Sequence, residues 1–464
     1  MNNLEKIYHN ILLPLNDVLF KINNQGLLID VDYLNEMTKW YESELKSIKK
    51  KIFDVLGFEF NLNSYPQMRE VLFKKLELPY IRTTAGVNKK QDMNPKVLEL
   101  LNNSDTPEMF KKNVKHLSND LPDNITPSTD MYTRKLLFEM FEVEALQLIT
   151  YYSKINKEYT TYVRDYLKKN ALFIDGEWKI YPSYRAIASS GRCRCSSPNA
   201  QTYPRPSEFL PKPFDKIERP FQIRKMVIPP KGMKWIKLDY SQMELRGAAY
   251  ISNDKTLLDI FKNKRDPYKE FTAYSKKKAI EAITKAERHG GKTIFLAFLY
   301  FAYEKQAHTT LLDKYDFFVT VKQCKKFRDD FIELCNGYHK HAQRLEQFVN
   351  IHHYVDSLYG RRRWFPPNVK SNIMSEATNH EVQASTTGDM SNEKTILLNK
   401  WLASTYSNRA SIYLLAHDEW GIVVDEDICD EVQKGAKDVL ERPPSIADDW
   451  HFPVESEIKN SFGG

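Results

Sequence analysis

The stretch Lys234-Trp-Ile-Lys-Leu-Asp239-Tyr-Ser-Gln-Met-Glu244-Leu-Arg246 constrains this chain more than any other. Trp235 to Leu238 is a short β-prone run that stops at a carboxylate, and a helical pattern follows from Ser241. Desolvating a lone carboxylate is costly, so an acid at the mouth of a buried strand needs a cation, often a metal, to answer it. Ser241-x-x-Glu244 has the spacing of a capping box, so Glu244 reads equally as a helix cap or as part of a site. A second acid stands in a similar place. Ile412 to Ala416 and Ile422 to Val424 read as two strands joined tightly through His417-Asp418-Glu419. Alone, Asp418 would pass for a turn residue; together the two acids form a pair that can share a charge.

At 464 residues the chain exceeds what one core supports and divides into about two to four domains. Its hydrophobic content of 42% is ample for globular folding. There is no apolar run of membrane-spanning length. The N-terminus, MNNLEKIYHN, lacks a signal-peptide core and the Arg/Ser-rich character of a transit peptide, so a cytoplasmic protein is expected. Five cysteines argue against a disulfide framework. Cys193-x-Cys195 has no second Cys or His pair at zinc spacing. The net charge of +7 suits a polyanionic partner without requiring one.

In chain order, a helix over Leu4–Phe20 leads to a short strand, Gly26–Asp30. A charged amphipathic helix then runs from Tyr33 to about Leu56, with Lys49, Lys50 and Lys51 on a face open to solvent or to phosphate. Asn61-Leu-Asn-Ser64 caps another helix. Residues 103–130, rich in Asn, Asp, Pro and Ser, read as a loop or insertion, and a long helix is expected from Thr133 to Lys168. From 170 the pattern turns to strands: Leu172–Tyr181 is a hairpin about an Asp-Gly turn. The segment from Ser183 to Pro204 then supplies Arg192, Asn199 and Gln201, side chains equipped for phosphate and groove-edge hydrogen bonds.

A helical region spans 247–355. In it Thr284-x-x-Glu287 can cap a helix on which Arg288, Lys292, Leu296 and Tyr300 recur every four residues. Each step drifts about 40°, so the four share roughly a third of the surface. Cation, cation, apolar group, ring is a workable order for phosphates, sugar and base; the competing reading is a core helix with solvated cations. Gly290 and Gly291 cost on the order of 1 kcal/mol each relative to Ala, which implies that something approaches the backbone closely. Tyr359-Gly-Arg361-Arg-Arg-Trp-Phe-Pro-Pro367 is a basic aromatic turn, and a helix with Asn379 and Gln383 follows. Two acids at strand ends with a cationic helix between them suit metal-assisted phosphoryl transfer. Two Mg²⁺ ions about 3.5–4 Å apart would serve it.

These residues resemble the DNA polymerase I family, family A. Asp239-Tyr-Ser-Gln-Met-Glu244-Leu-Arg246 looks like its motif A, Arg288-x3-Lys292-x7-Tyr300 like motif B and His417-Asp418-Glu419 like motif C. Ser190-Gly-Arg192, Pro198-Asn199-x-Gln201 and Gly360-Arg361-Arg fall in the family's order, and Asn61–Ser64 with Leu72-Phe-x-Lys-Leu extends the likeness over essentially the whole chain.

The resemblance implies an α+β right-hand fold with an antiparallel palm and helical fingers and thumb. Its divisions would be an N-terminal palm segment 1–32, thumb 33–165, palm 166–250, fingers 251–355 and palm 356–464. It implies Asp239 and Asp418 as ligands of two Mg²⁺ ions, with Glu419 beside them in the catalytic motif. Glu244 would be a wall against a ribose 2′-OH, and Arg288, Lys292, Leu296, Tyr300 and Tyr268 would line the dNTP site. Arg192, Asn199, Gln201, Arg361, Asn379, Gln383 and His417 would face DNA. Donors in the minor groove can test pair geometry without reading sequence, because every pair offers acceptors there. The expected partners are primer–template DNA and dNTPs. A helicase or primase, a processivity factor or a separate exonuclease could accompany a monomer.

Departures from the family pattern are Leu296 for an aromatic residue, Phe301 for Gly, Tyr268 for His and Ser375 for Arg. Leu at 296 occurs in some phage-borne members and points to a viral source. The chain begins where the family's polymerase module begins, so neither exonuclease activity is expected. Replication is the expected role, with repair or lesion bypass as alternatives. Two rivals remain: a single-subunit RNA polymerase, against which Glu244 argues, and a catalytically silent DNA-binding replisome protein.

Overall fold

A computed structural model describes residues 3–84, 92–117, 125–186, 188–204, 219–367, 372–416 and 418–464. Among the described residues, two four-stranded and two two-stranded antiparallel sheets combine with helices into an α+β protein. The sheet that matters for function runs Ala410–Ala416, Glu419–Asp425, Met233–Tyr240, Val454–Lys459. Its central pair, Met233–Tyr240 and Glu419–Asp425, is buried at Trp235, Ile236 and Leu238 and from Glu419 to Val424. That burial explains the near-continuous apolar runs in both segments. Helices Asp389–Tyr406 and Cys429–Glu441 pack against this sheet.

The second sheet joins Leu27–Ile29 to Glu177–Ile180 and Val227–Ile228, so the N-terminal strand closes onto residues 150 or more positions away. Its hairpin turns at Asp175 (φ 52°) and Gly176 (φ 80°), the doubly left-handed turn that matches strand twist.

The N-terminal helical region is built on Val31–Leu56, started by Asp30 accepting from the Tyr33 amide and stopped by Gly57 at φ 75°. It packs along Glu144–Tyr162. The single helix expected over 133–168 is three: Met131–Phe141, Glu144–Tyr162 and Tyr166–Asn170. The chain turns at Glu142 (φ 55°) and Asp165 (φ 56°). A left-handed non-glycine residue costs roughly 1–2 kcal/mol and carries no sequence signature; burial of Ala145, Leu146 and Ile149 beyond the first bend offsets it. Within the expected 103–130 loop, Thr106 caps helix Pro107–Asn113, which inserts Phe110 into the core. The N-terminal helix also runs further than expected, to Gln25, through a π turn at Tyr8–Leu12.

Seven helices between Met243 and His352 carry a second core around Phe271, Phe295, Phe298, Phe331 and Tyr338. This region touches the first helical region. The Tyr132 hydroxyl meets His308 Nε2 at 2.8 Å, with both residues fully buried. Thr320 Oγ1 donates to the Ser104 carbonyl at 2.7 Å, and Lys135 Nζ pairs with Asp316 at 2.8 Å. Among the described residues no helix is long and apolar enough to cross a membrane.

Candidate active site

The acids that opened the sequence converge at one end of the main sheet. Asp239 lies in register between Glu419 on one neighbouring strand and Glu455 on the other, so three carboxylates line the same face. The amide of Tyr240 donates to the carbonyl of Asp418 at 3.2 Å, which fixes the Asp418 turn beside Asp239. Asp239 and Asp418 are part-exposed, whereas Glu419 is 1% exposed. Glu419 is answered from within the protein: Arg224 Nη1 lies 3.2 Å away and Lys237 Nζ 3.6 Å. Lys237 also lies 3.7 Å from Asp239. Asp239 and Asp418 stay part-exposed at this end of the sheet, and Glu419 is the buried prop between strand and cations. Their hard oxygen donors fit Mg²⁺.

Glu244 is not a helix cap. The strand runs through Asp239 to Tyr240, and the helix begins only at Met243, after a left-handed Gln242 (φ 58°) that has no capping side chain. The capping box fails because Gln242, not Ser241, holds the N-cap position, which leaves Glu244 as the second residue of the helix instead of the third. Glu244 turns instead toward Arg192 Nη2, to which it is ion-paired, and toward Thr387 Oγ1 at 3.2 Å. Burial and the negative charge of Asp418 push its carboxyl up to about 7, against the lowering hydrogen bond from Thr387. Burial lowers Arg192, and Asp418 opposes that shift. Asp418, Glu244 and Arg192 thus share one electrostatic neighbourhood.

The cationic helix is Lys285–Leu299, with the expected Thr284/Glu287 capping box in place. Phe295, Phe298 and Leu299 are buried, while Arg288, Leu296 and Tyr300 are part-exposed and Lys292 is exposed. The stripe faces outward, as both readings of the helix required. Tyr300 is the residue that ends the helix rather than a member of it, and Phe301 follows at φ 51° with its ring stacked on Tyr338. Arg288 is steadied by Asp266, whose other oxygen caps helix Pro267–Lys276. Tyr268 is 3% exposed and lies beneath both cations, 5.6 Å from Arg288 and 5.8 Å from Lys292. Burial, Asp266 and Glu244 all raise its hydroxyl.

What approaches Gly290 and Gly291 is protein. A Cβ on Gly291 would lie 1.8 Å from Thr272 Oγ1, and one on Gly290 would lie 3.2 Å from the Phe317 ring. These glycines let neighbouring segments dock against the stripe's rear face.

Several expected DNA-facing residues are engaged within the chain. Arg361 forms a two-pronged pair with buried Asp389, at 2.9 and 2.7 Å, against the Gly191 turn. Gln201 Nε2 bridges the carbonyls of Cys193 and Leu415 at 3.2 Å each. Asn199 is exposed and accepts from the Gln201 amide. Asn379 donates to Ser375 Oγ at 3.4 Å, and Ser375 donates to the Tyr300 carbonyl at 2.6 Å, so the cation helix is tied to helix Ile373–Gln383. Asn379 Oδ1 is buried without a hydrogen-bond partner among the described residues. Gln383 is half-buried at the end of that helix. His417 lies outside the described residues. Cys193 and Cys195 turn their thiols to Asn392 and the Pro198 carbonyl.

A sequence profile of DNA polymerase family A matches residues 31–120 and 108–463, from the first long helix through the carboxylate end of the sheet to the last strand. The chain belongs to DNA polymerase family A. Among its family A relatives, DNA polymerase I of Pseudomonas aeruginosa is 24% identical over 99% of this chain and 44% of its own length. The thermostable DNA polymerase I of Thermus thermophilus is 26% identical over 98% of this chain and 48% of its length. The chain thus spans less than half of these relatives. A solved structure, the POL domain of Pol1 from M. smegmatis in complex with DNA primer-template and dNTP, superposes with a TM-score of 0.77 at 19% identity. It covers 99% of this chain and 71% of that one. The α+β right-hand polymerase fold is the shared architecture.

Sequence reasoning missed Asp266, Arg224, Lys237 and Thr387, which pair with Arg288, Glu419, Asp239 and Glu244 in the candidate site. Asp266-Pro267 carries the one available signal, an acid before a helix-starting proline. The others are joined only by tertiary pairing.

Proposed function

We propose that this chain is a DNA-directed DNA polymerase that extends a primer 3′ end with dNTPs. The observation that carries the reading is geometric: Asp239 lies in register with Glu419 and beside the Asp418 turn at one end of the main sheet, and the outward stripe of Arg288 and Lys292 is braced by Asp266 and the Tyr268 ring.

Asp239 and Asp418 would hold two Mg²⁺ ions, which when bound activate the primer hydroxyl and stabilise the leaving pyrophosphate. Arg288 and Lys292 neutralise the triphosphate, and Asp266 and the Tyr268 ring keep Arg288 aimed outward. Leu296 lies against the sugar and Tyr300 against the base. Glu244, half-buried and fixed by Arg192 and Thr387, stands where a ribose 2′-OH would arrive. Arg192, Asn379 and Gln383 offer donors toward the primer–template. The solved relative with primer-template and dNTP supports these substrates.

The test is single-nucleotide extension of a primed DNA template with Mg²⁺, comparing dNTP with rNTP. DNA synthesis with strong preference for dNTP, relaxed in Glu244→Ala, is expected. Equal use of rNTP by the wild type would favour the RNA-polymerase reading, and no extension would favour the silent DNA-binding one.

A further inference from the structure

Between helices Ile373–Gln383 and Asp389–Tyr406 the chain passes through a π turn, Ala384–Gly388, in which the Asp389 amide returns to the Ala384 carbonyl. A π turn adds one residue to a helical run and re-aims the side chains it carries. Thr386 packs into the notch left by Gly247, where a Cβ would lie 2.2 Å from its methyl. Gly388 allows the Ser190 carbonyl to approach a position a Cβ would occupy at 2.1 Å. Asn392 then holds the Gly191 carbonyl at 2.8 Å. The turn is thereby fixed against both segments that carry the ribose wall.

Thr387 is the residue so aimed. It is 4% exposed, and its hydroxyl accepts from Arg192 Nε at 2.7 Å while lying 3.2 Å from Glu244 Oε1. The Gln383 carbonyl, at 3.3 Å, is the other acceptor for the same hydrogen. A carboxylate is the stronger acceptor, so the hydrogen goes to Glu244. One hydroxyl therefore closes a ring with Arg192 and Glu244.

We propose that Thr387 is a positioning residue that locks Glu244 and Arg192 into one unit, so that discrimination between deoxyribo- and ribonucleotides depends on its hydroxyl. This rests on reading Glu244 as the sugar wall. Thr387 touches neither substrate nor metal; it acts through Glu244.

The experiment measures kcat/KM for one dNTP and the matching rNTP opposite the same template base, in the wild type, Thr387→Val, Thr387→Ser and Glu244→Ala. Losing a hydrogen bond to a charged group should lower the dNTP-over-rNTP ratio roughly tenfold in Thr387→Val, and Thr387→Ser should restore it to within about twofold. Thr387→Ala carries the same expectation should the valine variant not fold. A ratio unchanged in Thr387→Val or Thr387→Ala while Glu244→Ala loses selectivity overturns the role of Thr387 alone. Serine performing no better than valine overturns it too. An unchanged ratio in Glu244→Ala overturns the wall itself, and with it the inference.

Discussion

Arg288 and Arg361 are both sequence-identified members of the same site, and the fold uses them in opposite ways. Arg288 stands on an outward stripe with about a third of its side chain exposed, braced by Asp266 from its own domain. Arg361 is 14% exposed and locked onto Asp389, which is fully buried. Arg224 repeats the second pattern, with Glu419 as its buried partner. An arginine next to a part-exposed carboxylate can turn to a ligand, while one next to a buried carboxylate cannot leave without stranding that charge. Partner burial separates a ligand contact from a structural one.

The contrast can be broken first at Arg361. Arg361→Ala should destabilise the protein by about 3–5 kcal/mol, because Asp389 is left buried and unpaired. Denaturant unfolding would read this, and an unchanged midpoint would erase the distinction. Arg288→Ala should leave unfolding nearly untouched and lower kcat/KM for dNTP by roughly a hundredfold, mostly through nucleotide binding. A large loss of stability with normal kinetics would put Arg288 in the structural class.

A third test concerns the contact between the two helical regions. Burial lowers His308 from its usual 6.5 to about 4, so it is neutral in the fold. As pH falls the unfolded chain takes up its proton first, and stability is lost between about pH 6.5 and 4. The loss should reach about 2–3 kcal/mol near pH 4.5. Urea titrations at pH 7.5 and 4.5 should show this loss in the wild type and a smaller one in His308→Gln. The smallest effect is expected at Leu296, where Leu296→Phe should change dideoxynucleotide discrimination several-fold, a matter of about 1 kcal/mol. Identical incorporation ratios for the two proteins would remove Leu296 from the sugar site.

Much of this was legible in the sequence because the signals were local. Asp239 ends an apolar run, Asp418 stands between two others, and the four-residue spacing from Arg288 to Tyr300 follows from helix geometry alone. Glu244 was half-legible: the sequence singled it out, but the capping role failed because the helix starts only at Met243. Partnerships between distant residues left no local trace. Arg361 with Asp389, Gln201 with Leu415 and Thr387 with Arg192 join segments from 28 to 214 residues apart. The bend at Glu142 was hidden for a different reason, since no glycine or proline marks it.

The central claim is that Asp239 and Asp418 face a ligand while Glu419 is satisfied from within. Its most direct test is primer extension with Mg²⁺ alongside binding of the same primer–template, for Asp418→Asn. The account predicts extension reduced at least about a thousandfold, the order expected when a metal-binding group is lost, with DNA affinity within a few-fold of wild type. Extension retained at near wild-type rate in that variant would contradict it.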